Sequence, residues 1–251
     1  MLRSDRLAAR ARSNLGRAKR RVRGLLEARG SGRECPLCGW AGGTFLTFGR
    51  RPYVQPDAQC PQCGSLERDR LAYVMLKDRL GPEQLTLHSS PEPSLQWWLK
   101  SISTSYLSID LEGTGAMRAM DLTALPLPDE SHTLVYCSNV LEHIPDDATA
   151  IREMRRVLKP GSHAVIIVPV QGNTTDEDLT VTDPGERHER YGQFDHVRFY
   201  GLDIADRLSA PGFRVTRLEA SHIDDDLVER HGLPRPGSRA AMQQMFLCEA
   251  V

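Results

Sequence analysis

The sequence predicts an α/β protein in which helices alternate with the strands of a doubly wound, seven-stranded sheet, preceded by a small cysteine-rich module. Apolar segments of strand length alternate with segments of helical period from residue 84 to residue 250. The segment "HAVIIVPV" (163–170) is apolar throughout, as expected of a strand that is buried on both faces. A chain of 251 residues is long enough to bury one sizeable core and to carry a small appendage.

The charges are distributed unevenly along the chain, although the net charge is only −1. Residues 1–33 hold eleven lysines and arginines and two acidic residues, so their balance is 11 − 2 = +9. We therefore expect residues 1–32 to form a basic arm, which could contact nucleic acid, act as a presequence or simply be solvated. The longest apolar run, 164–170, is too short to span a bilayer and no secretory signal is evident, so we expect a cytoplasmic protein.

Four of the six cysteines form two Cys-x-x-Cys turns, "CPLCG" and "CPQCG", with 21 residues between them. Cys35, Cys38, Cys60 and Cys63 could supply four thiolates to one tetrahedral ion, a geometry that Zn²⁺ favours. The alternatives are disulfides, which the expected compartment disfavours, or free thiols. Since four protein ligands close the coordination sphere, we predict a structural zinc ribbon, which with its connecting helix spans residues 33–82.

The remaining elements follow in order. In the module we predict a strand at 44–48 and a helix at 65–81, with Ser65 as its N-cap and Gly81 as its end. In the second domain, 83–251, we predict strands at 84–88, 105–110, 116–121, 132–138, 163–170, 213–219 and 244–250. Between them we predict helices at 94–100, 146–161 and 202–212.

Polar residues stand at the ends of several predicted strands. Asp110 ends the second strand and Asp121 the third, while Ser138 and Asn139 follow the fourth. In open α/β sheets, ligands bind just beyond the carboxyl ends of the strands, near the point where the strand order reverses. An acidic residue there can accept two hydrogen bonds from a ribose diol, so these positions predict a nucleotide-like ligand.

Residues 120–170, "MDLTALPLPDESHTLVYCSNVLEHIPDDATAIREMRRVLKPGSHAVIIVPV", resemble the class I S-adenosylmethionine-dependent methyltransferases of the type-11 kind. The shared pieces are the acidic-Leu pair, "LPLPDES", "VLEHIPD" and "REMRRVLKPG", which that family follows with glycine where this chain has Ser162. The resemblance covers roughly 83–251 and implies a mostly parallel, Rossmann-like sheet of order 3-2-1-4-5-7-6 with strand seven antiparallel. It also implies S-adenosyl-L-methionine as cofactor, with the ribose on Asp110, the adenine on Asp121 and Leu122, and the methionine portion beside Ser138 and Asn139.

The turn after the first strand departs from that family, which usually has a glycine-rich turn where the backbone approaches the cofactor. Here the turn reads "HSSPEPS" (88–94) and contains no glycine, so positive φ and close approach become costly. Either His88, Ser89, Ser90 and Glu92 form a rigid substitute that contacts the cofactor, or the cofactor affinity has been lost. The first interpretation is favoured.

About thirty residues rich in His, Arg, Asp and Tyr follow the fifth strand, and we expect residues 171–201 to form a lid over the methyl acceptor. Asp195-His196 is the leading source of a general base, with His143 and His188 as further candidates. The groups predicted to bind the acceptor are Arg187, Arg190, Tyr191, Arg198 and Tyr200.

Three functions are therefore compatible with the sequence. The leading one is a zinc-ribbon-bearing methyltransferase that acts on a small-molecule, glycan or lipid-precursor acceptor. The second is an RNA base methyltransferase that uses the basic arm and the zinc ribbon to bind RNA. The third is a non-catalytic zinc-ribbon binding module with a degenerate methyltransferase fold. Steeply salt-dependent RNA affinity would favour the second, and absence of cofactor binding would favour the third.

Overall fold

A computed structural model describes Val22 and residues 30–50, 53–219, 223–235 and 239–251. Apart from Val22 and residues 30–32, the expected basic arm (1–32) lies outside the described residues. The described chain divides into two compact units. We call the first the zinc-ribbon unit after the prediction made for its cysteines. It comprises residues up to Lys77 together with Pro93–Leu95 and 223–235, and the sheet unit comprises the rest.

From Gly30 onward, the described residues of the zinc-ribbon unit form two antiparallel ribbons and two helices. Its elements are β1 (Arg33–Glu34), β2 (Ala41–Gly42), β3 (Leu46–Arg50), β4 (Tyr53–Gln59), α1 (Glu67–Leu76) and α6 (Asp225–His231). β1 pairs with β2 and β3 with β4. Gly39 and Gly64, which follow the second cysteine of each turn, have φ of +70° and +81°, values that glycine adopts without the Cβ penalty.

Helix α1 begins later and ends earlier than the prediction of 65–81. The backbone N–H of Leu66, its first flanking residue, donates to Asp69 Oδ2 at 3.0 Å, so the helix start is capped from within its first turn. Ser65 was wrongly predicted as the N-cap, because its hydroxyl lies among the cysteine sulfurs instead, 3.4 Å from Cys35 Sγ and 3.2 Å from Cys63 Sγ.

A buried arginine joins distant parts of the zinc-ribbon unit. Arg70 donates hydrogen bonds to the carbonyl oxygens of Ala58, Ser65, His231 and Gly232, at 2.6–2.9 Å. The expected division of the chain into 33–82 and 83–251 does not anticipate this, since residues 223–235 come from the far end of the sequence. Long-range hydrogen bonds from one side chain to backbone carbonyls leave no periodic signal in a sequence.

The sheet unit is built on seven strands. In chain order they are β5 (Gln84–Ser89), β6 (Ser103–Asp110), β7 (Arg118–Ala119), β8 (His132–Ser138), β9 (Leu158–Pro169), β12 (Phe213–Leu218) and β13 (Gln243–Ala250). Their order across the sheet is β12-β13-β9-β8-β5-β6-β7. All pairings are parallel except those of β13, which runs antiparallel to β9 and β12. The predicted fold class and the strand order 3-2-1-4-5-7-6 are therefore confirmed.

Three helices pack on this sheet, namely α2 (Gln96–Ser101), α3 (Asp147–Val157) and α5 (Ile204–Ser209). Asp146 caps the start of α3, since its Oδ1 accepts the Thr149 N–H at 3.0 Å. The helix ends at Val157 rather than near Gly161, because Leu158 is already extended and β9 starts there. Leu158 falls within the helix predicted at 146–161, whereas the structure buries it as the first residue of the strand.

The expected lid, 171–201, contains secondary structure of its own. It includes β10 (Asp176–Glu177), α4 (Pro184–Tyr191) and β11 (Arg198–Phe199). β10 and β11 pair antiparallel, and the N–H of Gln171 donates to the Tyr200 carbonyl at 2.8 Å, which closes the segment on itself. Among the described residues, none of the helices has both the length and the apolar character needed to cross a membrane.

Candidate functional site

The predicted cofactor residues come together at one edge of the sheet. β5, β6 and β8 are neighbouring parallel strands, and they end at Ser89, Asp110 and Ser138 respectively. Because parallel strands present their carboxyl ends at the same edge, the turns that follow them share one surface. The strand order reverses beside β5, which is where this class of sheet opens a crevice for a ligand.

Ser90 occupies a conformation that usually belongs to glycine. Its φ is +45°, and its N–H donates to the Ile109 carbonyl at 2.7 Å, so the chain turns sharply at the end of β5. For a residue with a side chain this region costs about 1–2 kcal/mol. The Ser90 hydroxyl donates to Asp110 Oδ2 at 3.1 Å, a contact that a glycine could not make and that holds the turn against the second strand.

His88 supports the turn from beneath rather than lining its surface. The ring is fully buried, and Nε2 lies 2.9 Å from Glu92 Oε2 while Nδ1 lies 2.8 Å from the Tyr106 hydroxyl. Since an ionised carboxylate only accepts, Nε2 donates to Glu92, and Nδ1 of a neutral ring accepts from Tyr106. The prediction that His88 itself contacts the cofactor is therefore corrected, because its contacts are with the two side chains that flank it.

Ser89 is also buried, whereas Glu92 is half-buried and its carboxylate is held in place by His88. Burial raises the pKa of the neighbouring Tyr106 well above the usual value of a tyrosine, so this hydroxyl stays protonated and able to donate. The turn thus carries two partly exposed polar groups at this edge of the sheet, the Ser90 hydroxyl and the Glu92 carboxylate.

Asp110 holds the loop that follows β6. Its Oδ1 accepts the N–H groups of Glu112 at 3.0 Å and Thr114 at 3.2 Å, while Oδ2 accepts from Ser90. A carboxylate has about four lone-pair positions, so one position on Oδ2 remains for an incoming hydroxyl group. Rotation of the Ser90 hydroxyl would free a second, and the pair would then fit a diol.

Asp121 is exposed beyond β7, and its Oδ1 accepts from both the N–H and the hydroxyl of Thr123, at 2.8 and 2.7 Å. The Leu122 side chain is buried within the hydrophobic core, so it underlies the crevice instead of facing it. Sequence reasoning missed two apolar side chains on this side, Leu111 and Met117, which are 71% and 53% exposed.

Ser138 and Asn139 end the fourth strand of the sheet. Asn139 has a φ of +53°, and its Nδ2 donates to Gln243 Oε1 at 2.7 Å and to Glu142 Oε1 at 3.3 Å. Gln243 was not anticipated. It is the first residue of β13, and since that strand is antiparallel, its beginning lies at the edge where the parallel strands end.

Two histidines and two carboxylates gather beyond β8. His143 lies in a short 3₁₀ turn, Leu141–His143, and its ring centroid is 4.7 Å from that of His196 in an edge-to-face arrangement. Asp195 Oδ2 lies 3.4 Å from His143 Nδ1, so this carboxylate faces His143, whereas Nδ1 of His196 lies 3.0 Å from the Tyr191 carbonyl. The cluster also contains Glu142, which is fully buried and was not predicted as a site residue, because its closeness to His196 depends on the tertiary fold.

Arg198 and Tyr200 are not available to an acceptor. Arg198 is fully buried and donates to the carbonyls of Leu141, Ile144 and Pro145 and to Glu177 Oε2. Tyr200 is also fully buried, and its hydroxyl donates to Asp147 Oδ2 at 2.6 Å. The prediction that these two side chains bind the acceptor is corrected, because they fasten residues 198–200 to the turn that carries His143.

The other predicted acceptor groups lie in or next to helix α4. Tyr191 is buried, with its hydroxyl 3.5 Å from the Asp178 carbonyl, and Arg190 is paired with Asp176 and Asp178. Arg187 is half-buried and donates through Nε to the Val181 carbonyl at 2.9 Å. His188 belongs to the same helix. Arg190 and Arg198 are both paired with carboxylates. Arg187, by contrast, contacts no carboxylate among the described residues.

The four cysteine sulfurs of the zinc-ribbon unit converge. Sγ of Cys35 is 3.7 Å from that of Cys63, and Sγ of Cys38 is 3.7 Å from that of Cys60. All six cysteines of the chain lie in its described part, and none of them forms a disulfide. A tetrahedral ion with sulfur ligands at about 2.3 Å separates them by about 3.8 Å, so the spacing fits one ion. Hydrogen bonds from Cys38, Cys60 and Cys63 lower the pKa of the Cys35 thiol far below its usual value.

One family model matches part of the sheet unit. Residues 99–166 match the family model of a methyltransferase domain, a match that runs from α2 through β8 and α3 into β9. It contains Asp110, Asp121 and the segment from Ser138 to His143, whereas the glycine-free turn at 88–94 lies outside it.

Solved structures with a similar chain trace are distant in sequence. The 1,6-didemethyltoxoflavin-N1-methyltransferase of Burkholderia thailandensis, solved with S-adenosylhomocysteine, is 14% identical with a TM-score of 0.48, over 72% of this chain and 77% of that one. An S-adenosylmethionine-dependent methyltransferase of Mesorhizobium loti is 16% identical with a TM-score of 0.48, over 71% and 97%. The [4+2]-cyclase SpnF is 15% identical with a TM-score of 0.49, over 94% and 95%.

Proposed function

We propose that this chain is an S-adenosylmethionine-dependent methyltransferase that acts on a small-molecule acceptor, of which glycan and lipid precursors are examples. The observation that carries the proposal is the contact between the Ser90 hydroxyl and Asp110 Oδ2 at the edge where β5 and β6 end. This contact joins the turn after β5 to the end of β6. The strand order reverses at this point, and ligands of this fold class bind there.

The residues at this edge fit such a cofactor. Asp110 can accept from a ribose diol, Asp121 can receive an exocyclic amine, and Leu111 with Met117 can cover the faces of a purine. Glu92 offers a negative charge on the side of Asn139, where the methionine portion with its positive charges would bind. Bound there, S-adenosylmethionine would supply an electrophilic methyl group, which a nucleophilic atom of the acceptor takes.

The acceptor side is formed by the cluster beyond β8 and by the segment 171–201. His143, Asp195 and His196 are proposed as the groups that act on the nucleophilic atom, and Arg187 and the wall beside Tyr191 as groups that bind the rest of the acceptor. Positioning alone can contribute about 7–11 kcal/mol to such a reaction. Arg198 and Tyr200 hold this cluster rigid, so they would contribute to catalysis by positioning the groups that face the acceptor.

We further propose that Cys35, Cys38, Cys60 and Cys63 hold one structural Zn²⁺. The spacing of their sulfurs supports this, and so does Ser65, whose hydroxyl lies within 3.4 Å of two of them. A site with four protein ligands has no open position for a substrate, so the ion would stabilise the zinc-ribbon unit and take no part in methyl transfer.

The test is a calorimetric titration of the zinc-loaded protein with S-adenosylhomocysteine. We expect micromolar binding that Asp110→Asn weakens at least tenfold, because the amide keeps one acceptor oxygen for the loop N–H groups but donates where a ribose hydroxyl would donate. Asp206→Asn, on helix α5, is the matched control and should bind like the wild type. Failure of the folded, zinc-loaded wild type to bind would overturn the proposal and favour a non-catalytic binding module.

A further inference from the structure

The geometry points to a divalent metal site formed by Glu142, His143 and His196 on the acceptor side of the sheet unit, which holds and acidifies a hydroxyl group of the acceptor. Each of the three residues offers one ligand atom, and these atoms lie within 4.8 Å of one another. The inference deepens the proposed function and rests on it for the identity of the reaction. The metal site itself depends only on the three side chains.

The two segments that supply the ligands are fastened to each other. The N–H of Val197 donates to the Glu142 carbonyl at 3.0 Å, directly beside His196. Arg198 donates to the carbonyls of Leu141 and Pro145, on both sides of the Glu142–His143 pair. The backbone therefore holds the three ligands in place without any help from an ion, as a pre-organised site requires.

Each histidine has a partner that orients its ring. Nδ1 of His196 lies 3.0 Å from the Tyr191 carbonyl, which can only accept, so Nδ1 carries the proton and Nε2 the lone pair. Nδ1 of His143 faces Asp195 Oδ2 at 3.4 Å, which favours the same tautomer. Metal-binding histidines almost always donate their other ring N–H to a carbonyl or a carboxylate in this way.

The donor set indicates the class of metal. Two imidazoles and one carboxylate suit first-row divalent ions such as Zn²⁺, Mn²⁺ or Fe²⁺, whereas Mg²⁺ and Ca²⁺ prefer oxygen ligands. Glu142 and His196 are buried, but the His143 side chain is 30% exposed, so the site is open on that side. Three protein ligands leave at least one position of a tetrahedral ion for a ligand from solution.

An open metal position explains how an alcohol or a phenol could be methylated here. The bound ion would lower the pKa of the hydroxyl, whose proton passes to solvent. The oxygen lone pair then forms the new bond to the methyl carbon while the carbon–sulfur bond breaks, and that electron pair stays on sulfur as a neutral thioether. The acceptor class that follows is a hydroxyl-bearing small molecule.

The test uses Co²⁺ as the probe, added to full-length protein whose cysteine site has first been filled with one equivalent of Zn²⁺. We expect one further Co²⁺ per chain, seen as visible d–d absorption without the intense near-ultraviolet charge transfer that cysteine sulfur would add. His196→Ala should weaken this binding at least a hundredfold. Asp195→Asn, which removes no ligand, should weaken it about 10–100-fold, the usual cost of losing an orienting partner.

His163→Ala, in strand β9 of the same unit, is the matched control and should bind Co²⁺ like the wild type. Absence of a second Co²⁺, or a second site that His196→Ala and Asp195→Asn leave unchanged, would overturn the inference. S-adenosylhomocysteine affinity is measured in the same samples. If Co²⁺ binds as expected but the cofactor does not, the proposed methyltransferase fails while the metal site stands, and the converse result rejects the metal site alone.

Discussion

His88 Nε2 lies 2.9 Å from Glu92 Oε2, across a turn that contains no glycine. The histidine is buried and its other nitrogen meets the Tyr106 hydroxyl, so the carboxylate is held by a chain of hydrogen bonds that starts inside the sheet. A glycine-rich turn brings the backbone close to a ligand. This turn has a rigid side-chain support instead, and Ser90 adopts the positive φ that glycine would supply.

Glu92→Gln is expected to weaken binding of S-adenosylmethionine by about 10–100-fold. The reason is that a hydrogen bond to a charged group contributes about 1.5–3 kcal/mol, and the amide removes the charge while keeping the shape. Isothermal calorimetry with the zinc-loaded protein measures the change. Glu112→Gln, an exposed carboxylate in the next turn, is the control that should leave the affinity unchanged. Equal affinities of Glu92→Gln and wild type would show that Glu92 does not face the cofactor.

The sheet, and the meeting of polar residues at one of its edges, could be predicted because both leave local signals. Strands buried on both faces are continuous apolar runs, and polar residues stand at the ends of several of them. Contacts that depend on chain direction could not be predicted in this way. Gln243 reaches Asn139 only because β13 is antiparallel, and Gln243 itself is 104 positions away in the sequence.

Side chains whose partners lie far away in sequence account for the other differences. Ser65 has the residue type of an N-cap, but the cysteine sulfurs are its neighbours. Arg198 and Tyr200 have the residue types that bind anions and line pockets, yet both are buried and bonded to the turn after β8. A sequence shows that a residue can donate hydrogen bonds, whereas the direction of those bonds is set by tertiary packing.

Removal of zinc is expected to unfold the zinc-ribbon unit while the sheet unit stays folded. Small four-cysteine modules draw about 10–16 kcal/mol of folding free energy from the metal. Cys63→Ser should lower the zinc content from one ion per chain toward none. Hydrogen exchange should then accelerate in β3 and β4 but not in β8 and β9.

Cys248→Ala supplies the control for that experiment, since Cys248 is buried in the sheet unit, far along the chain from the two Cys-x-x-Cys turns. Its zinc content should remain one ion per chain, as measured by metal analysis after dialysis. An undiminished zinc content in Cys63→Ser would contradict the proposed ligand set.

Arg198→Met is expected to lower the free energy of unfolding of the sheet unit by about 3–5 kcal/mol, because it leaves the carbonyls of Leu141, Ile144 and Pro145 without the buried donor that satisfies them. Arg155→Met is a matched comparison. Arg155 also donates to backbone carbonyls, those of Gly212 at 3.1 Å and Val251 at 2.6 Å, but it is half-buried. We expect about 1–2 kcal/mol there. Urea titration followed by tryptophan fluorescence measures both, and equal losses would refute the assigned role of Arg198.

Glu153 stabilises the sheet unit, and the size of this stabilisation changes with pH in the acid range. The Arg156 guanidinium donates to both of its carboxylate oxygens, Nε to Oε1 and Nη2 to Oε2, each at 2.7 Å, and Asp129 lies on the far side of the same guanidinium. The forked hydrogen bond from Arg156 holds the pKa of Glu153 below 4.5, the ordinary value for glutamate.

Because the folded-state pKa is the lower one, this stabilisation is fully present above about pH 4.5 and is lost as the pH falls through the folded-state value. Glu153→Gln should therefore unfold at a lower temperature than the wild type at pH 7, and the difference should shrink steadily below pH 4.5. Scanning calorimetry over pH 3–7 provides the measurement. Glu189→Gln, an exposed residue of helix α4, should follow the wild-type curve throughout. A difference between Glu153→Gln and wild type that stays constant across this range would mean that packing, rather than charge, accounts for the effect of Glu153.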